Sequence, residues 1–227
     1  MIIILLIILI SYIKFEGVFY NMKEKRGLVH VYTGDGKGKT TAAIGLATRA
    51  VGQGFKVFIV QFMKGGAYTG EFIAAKNFLP NVGFMQYGRP CIKEKKQLKL
   101  MDISEGYTYF DFVREDIECG TCRYCFLNDK VQDDFVKQGF NAAKEIIAKN
   151  EHDLIILDEI NVAMHLGFLN VNEVVELIKK KPREMELVLT GRDAPKEIKQ
   201  IANLVTEMKM IKHYFEEGVG ARRGIEY

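Results

Sequence analysis

The stretch Leu28-Val-His-Val-Tyr-Thr33, followed by Gly34-Asp-Gly-Lys-Gly-Lys-Thr40 and then by Thr41 to Val51, decides the fold. A short apolar run enters a glycine-rich loop and leaves as a segment with Ala and Leu at helical spacing, which is strand, loop and helix in that order. Glycines at 34, 36 and 38 let successive N–H groups turn inward as an anion nest, and the following helix adds its positive end. Lys39 is placed to reach bridging phosphate oxygens, and the Thr40 hydroxyl to ligate Mg2+. The run matches the phosphate-loop pattern except that Thr33 stands where the first glycine is usual. The plainer alternative, a Gly-rich turn with no ligand, does not explain why both flanks have the context a phosphate loop requires.

Outward from the loop, Gly52 and Gly54 stop the helix, and Lys56 to Phe62 reads as a strand buried on both faces. Lys64 to Gly70 is a loop, Glu71 to Leu79 a helix ended by Pro80, and Val82 to Tyr87 a third strand. Gln132 to Asn150 is a long amphipathic helix. His152-Asp-Leu-Ile-Ile-Leu-Asp-Glu159 then runs four apolar residues straight into two carboxylates. A helix from Val171 to Lys180, a strand from Met185 to Thr190, a turn from Gly191 to Pro195, a helix to about Ala202 and a strand from Leu204 to Met208 complete the alternation. The expected fold is α/β, a doubly wound and mainly parallel sheet of the phosphate-loop NTPase (RecA-like) kind in a single domain. Its ligands should sit outside the carboxyl ends of the strands. The loop and Asp158-Glu159 both fall at such ends, so the carboxylates are the candidates for Mg2+, alternative to a solvated strand end; spacing does not choose between them.

The whole chain has 227 residues, 48% hydrophobic and 27% charged, which excludes disorder, collagen and a disulfide scaffold. Lys+Arg at 32 against Asp+Glu at 29 gives a formal +3, without the basic stripe of a dedicated nucleic-acid binder. Residues 88 to 131 break the rhythm and read as an insertion, holding an aromatic stretch from Tyr107 to Phe112 and all four cysteines. Cys119, Cys122 and Cys125 lie at two successive CxxC spacings with Cys91 upstream. That spacing suits tetrahedral Zn2+ or an iron-sulfur cluster, with free thiols as the alternative, in a reducing compartment taken to be the cytoplasm.

Further motifs carry a specific resemblance. Thr33 to Ala43, Arg49-Ala-Val-Gly-Gln-Gly54, Val60-Gln-Phe-Met-Lys-Gly65, Leu157-Asp-Glu-Ile-Asn161, Leu189-Thr-Gly-Arg192 and the tail Lys212-His213 through Gly218-Val-Gly-Ala-Arg222 to Gly224-Ile-Glu-Tyr227 together resemble the phosphate-loop type of corrinoid adenosyltransferase. The likeness spans Gly27 to Gly88 and Phe135 to Tyr227. It implies transfer of the 5'-deoxyadenosyl group of ATP to the Co(I) of a reduced corrinoid, leaving triphosphate, with ATP held reversed relative to ordinary phosphate-loop proteins. An ordinary kinase or ATPase acting on the terminal phosphate is the alternative reaction, and an ATP-gated carrier or nucleic-acid switch the non-enzymatic one. Carried over, Thr33, Gly34, Asp35, Gly36, Lys37, Gly38, Lys39, Thr40 and Thr41 bind ATP. Thr40 and Glu159 hold Mg2+, and Lys39, Thr40 and Arg192 form the catalytic set, Arg192 neutralising leaving-group charge unless it is simply a surface arginine. An electron-donating flavoprotein reductase and a homodimer are the implied partners, with no nucleic acid and, for the form that begins at Met22, no membrane. The chain departs from the enteric pattern where Arg89-Pro-Cys-Ile92 replaces aromatic residues after Gly88. Tyr107, Tyr109, Phe110 and Phe112 are their candidate substitutes against the corrin, or else core. His213 either stacks on a ligand or is packed.

Ahead of this domain, Met1 to Ile10 is unbroken apolar sequence that reaches only Ile13, short of the ~20 residues of a spanning helix. It also lacks the basic start and cleavage site of a secretory signal. Glu16-Gly17-Val18 can be encoded by GAAGGAGTT, a ribosome-binding sequence shortly before the codon of Met22. Residues 1–21 therefore read as leader DNA written out as amino acids and not part of the native protein, with the working protein, 22–227, beginning at Met22 and a hydrophobic membrane-surface segment as the alternative. Mass spectrometry of the natively expressed protein is expected to find no peptides from Ile13 to Asn21; finding them would refute the leader reading.

Overall fold

A computed structural model describes residues 27–65, 69–90, 124 and 127–227. Six strands lie in the order β3-β2-β4-β5-β1-β6 and every pairing is parallel. They are β1 (Val29–Thr33), β2 (Val57–Phe62), β3 (Val82–Tyr87), β4 (Leu154–Asp158), β5 (Glu186–Thr190) and β6 (Leu204–Glu207). The helices between them are α1 (Lys39–Gly52), α2 (Gly70–Asn77), α3 (Lys130–Lys149), α4 (Ile160–His165), α5 (Val171–Lys180) and α6 (Lys196–Ile201), with a closing 3-10 turn at Tyr214–Glu217. The doubly wound α/β architecture is thus as the sequence implied.

Strand β4 shows why the sheet takes this form. Its five residues are all buried, so neither face can be left to water, and alternate side chains feed two separate cores. Leu154 and Ile156 join Val188 and the alanines of α1 on one side; Ile155 and Leu157 join Leu187, Leu189 and the apolar faces of α3, α4, α5 and α6 on the other. Helix α1 buries Ala43, Ala47 and Ala50, small side chains on one stripe that let it lie close to the sheet. Parallel pairing aligns the carboxyl ends of β1, β2, β4 and β5, and the loops after them form one cleft.

The boundaries differ from expectation at the site. β4 ends at Asp158, since Glu159 turns to φ 63 and opens α4, a helix the apolar run had concealed. Helix α1 begins two residues earlier than expected, at Lys39. Helix α3 begins at Lys130, where the Asp129 side chain accepts from the Gln132 amide at 3.1 Å.

Both flanks of the insertion are pinned at one point. The Arg89 amide donates to Gln132 Oε1 at 2.9 Å, Gln132 Nε2 donates to the Met63 carbonyl at 3.3 Å, and the Arg89 guanidinium pairs with Asp129. It also donates to the Tyr124 hydroxyl at 3.2 Å. Cys91, Cys119, Cys122, Cys125, the aromatic residues 107, 109, 110 and 112, and the apolar leader all lie outside the described residues. Among the described residues no helix is long and apolar enough to cross a membrane.

Leu157 is fully buried in the central strand, so Leu157→Ala removes transfer energy and leaves a cavity. A loss of about 2–5 kcal/mol is expected in denaturant unfolding. The exposed Lys149→Ala should stay within about 0.5 kcal/mol.

Candidate nucleotide-binding site

The loop after β1 is shaped as much by the segment that follows β6 as by its own glycines. Gly34 has φ 98, which L side chains rarely adopt, and a Cβ there would stand 2.4 Å from the Met208 carbonyl oxygen. A Cβ on Gly36 would meet the same oxygen at 2.7 Å. The Gly36 amide donates to that oxygen at 2.7 Å, and the Met208 amide donates to the Thr33 carbonyl at 2.8 Å. Asp35 Oδ1 accepts from the Met210 amide at 3.1 Å, and this bond leads the effects that hold its carboxyl below the usual range. One face of the loop is therefore closed by residues 208–210.

The other face leads into α1. Gly38 caps that helix with no side-chain partner, so its first amides are open to an anion. Lys39 is nearly buried, and its ammonium donates to the Gly34 and Gly36 carbonyls at 2.8 and 2.7 Å, spanning the loop. Burial pushes its pKa down, with the Arg192 charge adding to that and Glu159, Asp35 and Asp158 opposing it. Thr41 is exposed on the first turn. Thr33 carries a task its glycine counterpart could not: its buried hydroxyl accepts from the Ala194 amide at 3.2 Å and ties the loop to the turn that bears Arg192. Arg192 is exposed at that strand end, where its charge reaches Asp35, Lys39 and Glu159.

Asp158 is the junction of the cleft. Its Oδ1 accepts from the Thr40 hydroxyl at 2.9 Å and the Thr190 hydroxyl at 2.6 Å, and its Oδ2 from Gln61 Nε2 at 2.9 Å. Lys64 Nζ lies 3.4 Å from the same Oδ2 and 3.6 Å from Glu71. Burial opposes ionisation of Asp158, but Lys64 and the three donors outweigh it and hold the carboxyl below its ordinary range. Lys64 is likewise penalised by burial and yet held above the lysine range by Asp158, Glu159 and Glu71.

Glu159 behaves oppositely. Its amide donates to Thr190 Oγ1 at 3.0 Å, but its carboxyl is raised by burial and by the neighbouring Asp158 charge, with Lys64, Lys39 and Arg192 only partly compensating. The structure therefore brings together Thr40, Lys39, Asp158 and Glu159, and it joins Thr40 directly to Asp158. Oxygen donors of this kind suit a hard divalent cation that keeps most of its waters. Among the described residues no cluster of three or more His, Cys, Asp or Glu is arranged to hold a metal ion.

Three participants have no role assigned from the sequence, although two of them lie in the quoted motif Val60 to Gly65. Buried Gln61 and half-buried Lys64 and Glu71 form a support behind Asp158, extended by Gln86, whose Nε2 donates to Gln61 Oε1 at 2.8 Å and to the Thr69 hydroxyl at 3.1 Å. A signal existed: Gln61 is the one polar residue in the apolar strand β2 and is fully buried there. Lys37, by contrast, turns away from the loop interior; its ammonium meets Glu226, the Tyr214 hydroxyl and the Ile225 carbonyl. His213 Nδ1 accepts from the Phe215 amide at 3.0 Å, and the ring packs against Tyr214 at 4.6 Å.

The model of the family described as ATP:corrinoid adenosyltransferase BtuR/CobO/CobP matches residues 25–132 and 117–227. A corrinoid adenosyltransferase of Escherichia coli K12 is 32% identical over 214 residues, covering 94% of this chain and 92% of the relative. One from Pseudomonas aeruginosa is 31% identical, covering 90% of this chain and 86% of the relative. The corrinoid adenosyltransferase CobA of Salmonella typhimurium is 31% identical over 90% of this chain and 88% of its own length. A phosphate loop tied through Thr40 to a buried strand-end carboxylate, in a chain so matched along nearly all its length, belongs to the ATP:corrinoid adenosyltransferase family.

Proposed function

We propose that this protein transfers the 5'-deoxyadenosyl group of ATP to the Co(I) of a reduced corrinoid and releases triphosphate. The observation that carries the reading is the Thr40 to Asp158 bond, which couples a glycine-rich anion site to a buried carboxylate pair within a chain of this family. The cobalt electron pair attacks the ribose C5' carbon, the C5'–O bond breaks, and the triphosphate leaves with that bond's electrons. No general base is needed, so the protein's work is orientation and charge.

The open amides of α1 and the Lys39 ammonium bind the triphosphate, and Arg192 opposes the charge gathering on it as it leaves. Mg2+ fits the all-oxygen donors Thr40, Asp158 and Glu159, with Thr40 and Glu159 as its protein ligands, and when bound it supplies further neutralisation of the leaving group. Gln61, Lys64 and Thr190 keep Asp158 ionised and aimed at Thr40. An electron-donating flavoprotein reductase, a homodimer and a reducing cytoplasm complete the proposed setting.

An anaerobic reaction with ATP, Mg2+ and chemically reduced cob(I)alamin tests the reading directly. The corrinoid spectrum should become that of adenosylcobalamin, with one triphosphate per cobalt–carbon bond by phosphorus NMR. ADP with phosphate would overturn it.

The two adjacent carboxylates should separate on mutation. Asp158→Asn leaves Lys64 without its nearest counter-charge, and a loss of about 3–5 kcal/mol is expected by denaturant unfolding together with lost turnover. Glu159→Gln instead relieves a buried like-charge contact, so its unfolding free energy should be unchanged or higher while turnover falls about 100-fold. The two measurements on both variants check the assignment, and a destabilised, fully active Glu159→Gln would contradict it.

A further inference from the structure

The last twenty residues, 208–227, form a strap that crosses the outer face of the phosphate loop, and its chemistry converges on one carboxylate. Glu226 accepts from Lys37 Nζ at 2.7 Å, from the Tyr214 hydroxyl, from the Arg222 amide at 2.6 Å and from Arg222 Nε at 3.3 Å. The Arg222 guanidinium stacks on the Tyr214 ring at 4.8 Å, so Tyr214, Arg222 and Glu226 brace one another. Among the described residues Lys37 is the loop side chain held by this group, and it also donates to the Ile225 carbonyl at 2.9 Å. Beyond it the strap continues to Tyr227, whose carbonyl would lie 3.8 Å from a Cβ on Gly70 at the start of α2.

An isolated pair on the surface of a protein contributes little. This one differs, because the Glu226 side chain is only 16% exposed and its partner belongs to the loop that must hold the triphosphate. The backbone bonds from Met208 and Met210 fix the start of the loop, at Thr33, Asp35 and Gly36. Lys37 fixes its crest. Between Gly36 and Gly38 glycine allows the amides to turn outward, and the bonds from Lys37 to the strap restrict that turn.

We propose that Glu226 is a positioning residue of the ATP site, acting through Lys37 to hold the crest of the phosphate loop in its binding conformation. The inference rests on the ATP reading above and adds that the strap sets nucleotide affinity, while the chemical step is left to the cleft.

The test uses the full chain with the variants Glu226→Gln, Lys37→Met and both together, with ATP binding measured directly by titration calorimetry and KM for ATP separated from kcat. Glu226→Gln is expected to raise Kd and KM for ATP about tenfold, the order of one charge-assisted hydrogen bond partly screened by water, with kcat within about twofold. In the Lys37→Met background the same change should add no more than about twofold, because the residue through which it acts is gone. Glu226→Asp, which keeps the charge, should recover part of the affinity. Equal effects of Glu226→Gln in both backgrounds, or a lowered Tm with unchanged Kd, would overturn the proposal. Wild-type protein that binds no ATP would instead defeat the reading on which it rests, so the two failures are distinguishable.

Discussion

The carboxylate of Asp158 is the constraint on which the cleft depends. It sits at the end of the central strand and is reached by Thr40 from α1, Gln61 from β2, Thr190 from β5 and Lys64 from the loop after β2. Three parallel strands and one helix therefore meet at one charge that water scarcely touches. Such a charge is tolerable only when its lone pairs are filled and a cation stands near, and both conditions are met here by residues far apart in sequence. The same bonds that make the charge tolerable fix the distance between the phosphate loop and the second carboxylate. Packing of the sheet and geometry of the site are thus one requirement.

The loop is built to a similar rule. A phosphate nest presents amides and no counter-charge, so without a ligand it has reason to relax. Here its carbonyls are held by Lys39 from inside, and its outer edge by the backbone of Met208 and the side chains beyond it. Thr33 at the first-glycine position belongs to the same arrangement. A glycine would supply only flexibility at that point, whereas the buried threonine hydroxyl ties the strand end to Ala194 and so sets Arg192 beside the loop.

Much of this was legible in the sequence for a definite reason. Strands buried on both faces read as continuous apolar runs, and β2, β4 and β5 are legible in that way, as are the loop and the carboxylates that end such runs. What escaped depends on long-range contact. Lys64 and Glu71 look like ordinary loop and helix-start charges until the fold sets Lys64 beside both Glu71 and Asp158. Lys37 looked like another phosphate cation because the loop pattern fixes its position along the chain but not its side-chain direction, and that direction is decided by Glu226, 189 residues away. The start of α4 was hidden because Glu159 changes conformation at a residue that periodicity alone assigns to the strand.

Asp158 and Glu159 are neighbours in sequence and both deeply enclosed, yet their carboxyls are driven in opposite directions. The difference lies in hydrogen bonds. Asp158 receives three side-chain donors and a lysine, whereas among the described residues Glu159 is bonded through its backbone, its amide to Thr190 and its carbonyl to the Ala163 amide, and its carboxyl feels the cations of the cleft through space. A group saturated in this way has little capacity left for a ligand and serves as a fixed point. Its neighbour holds unused lone pairs beside a like charge, a state that a cation would relieve. The division of labour between the two residues follows from which of them the fold has already satisfied. In the proposed mechanism Asp158 is accordingly the support and Glu159 the carboxylate on the ligand side of the cleft.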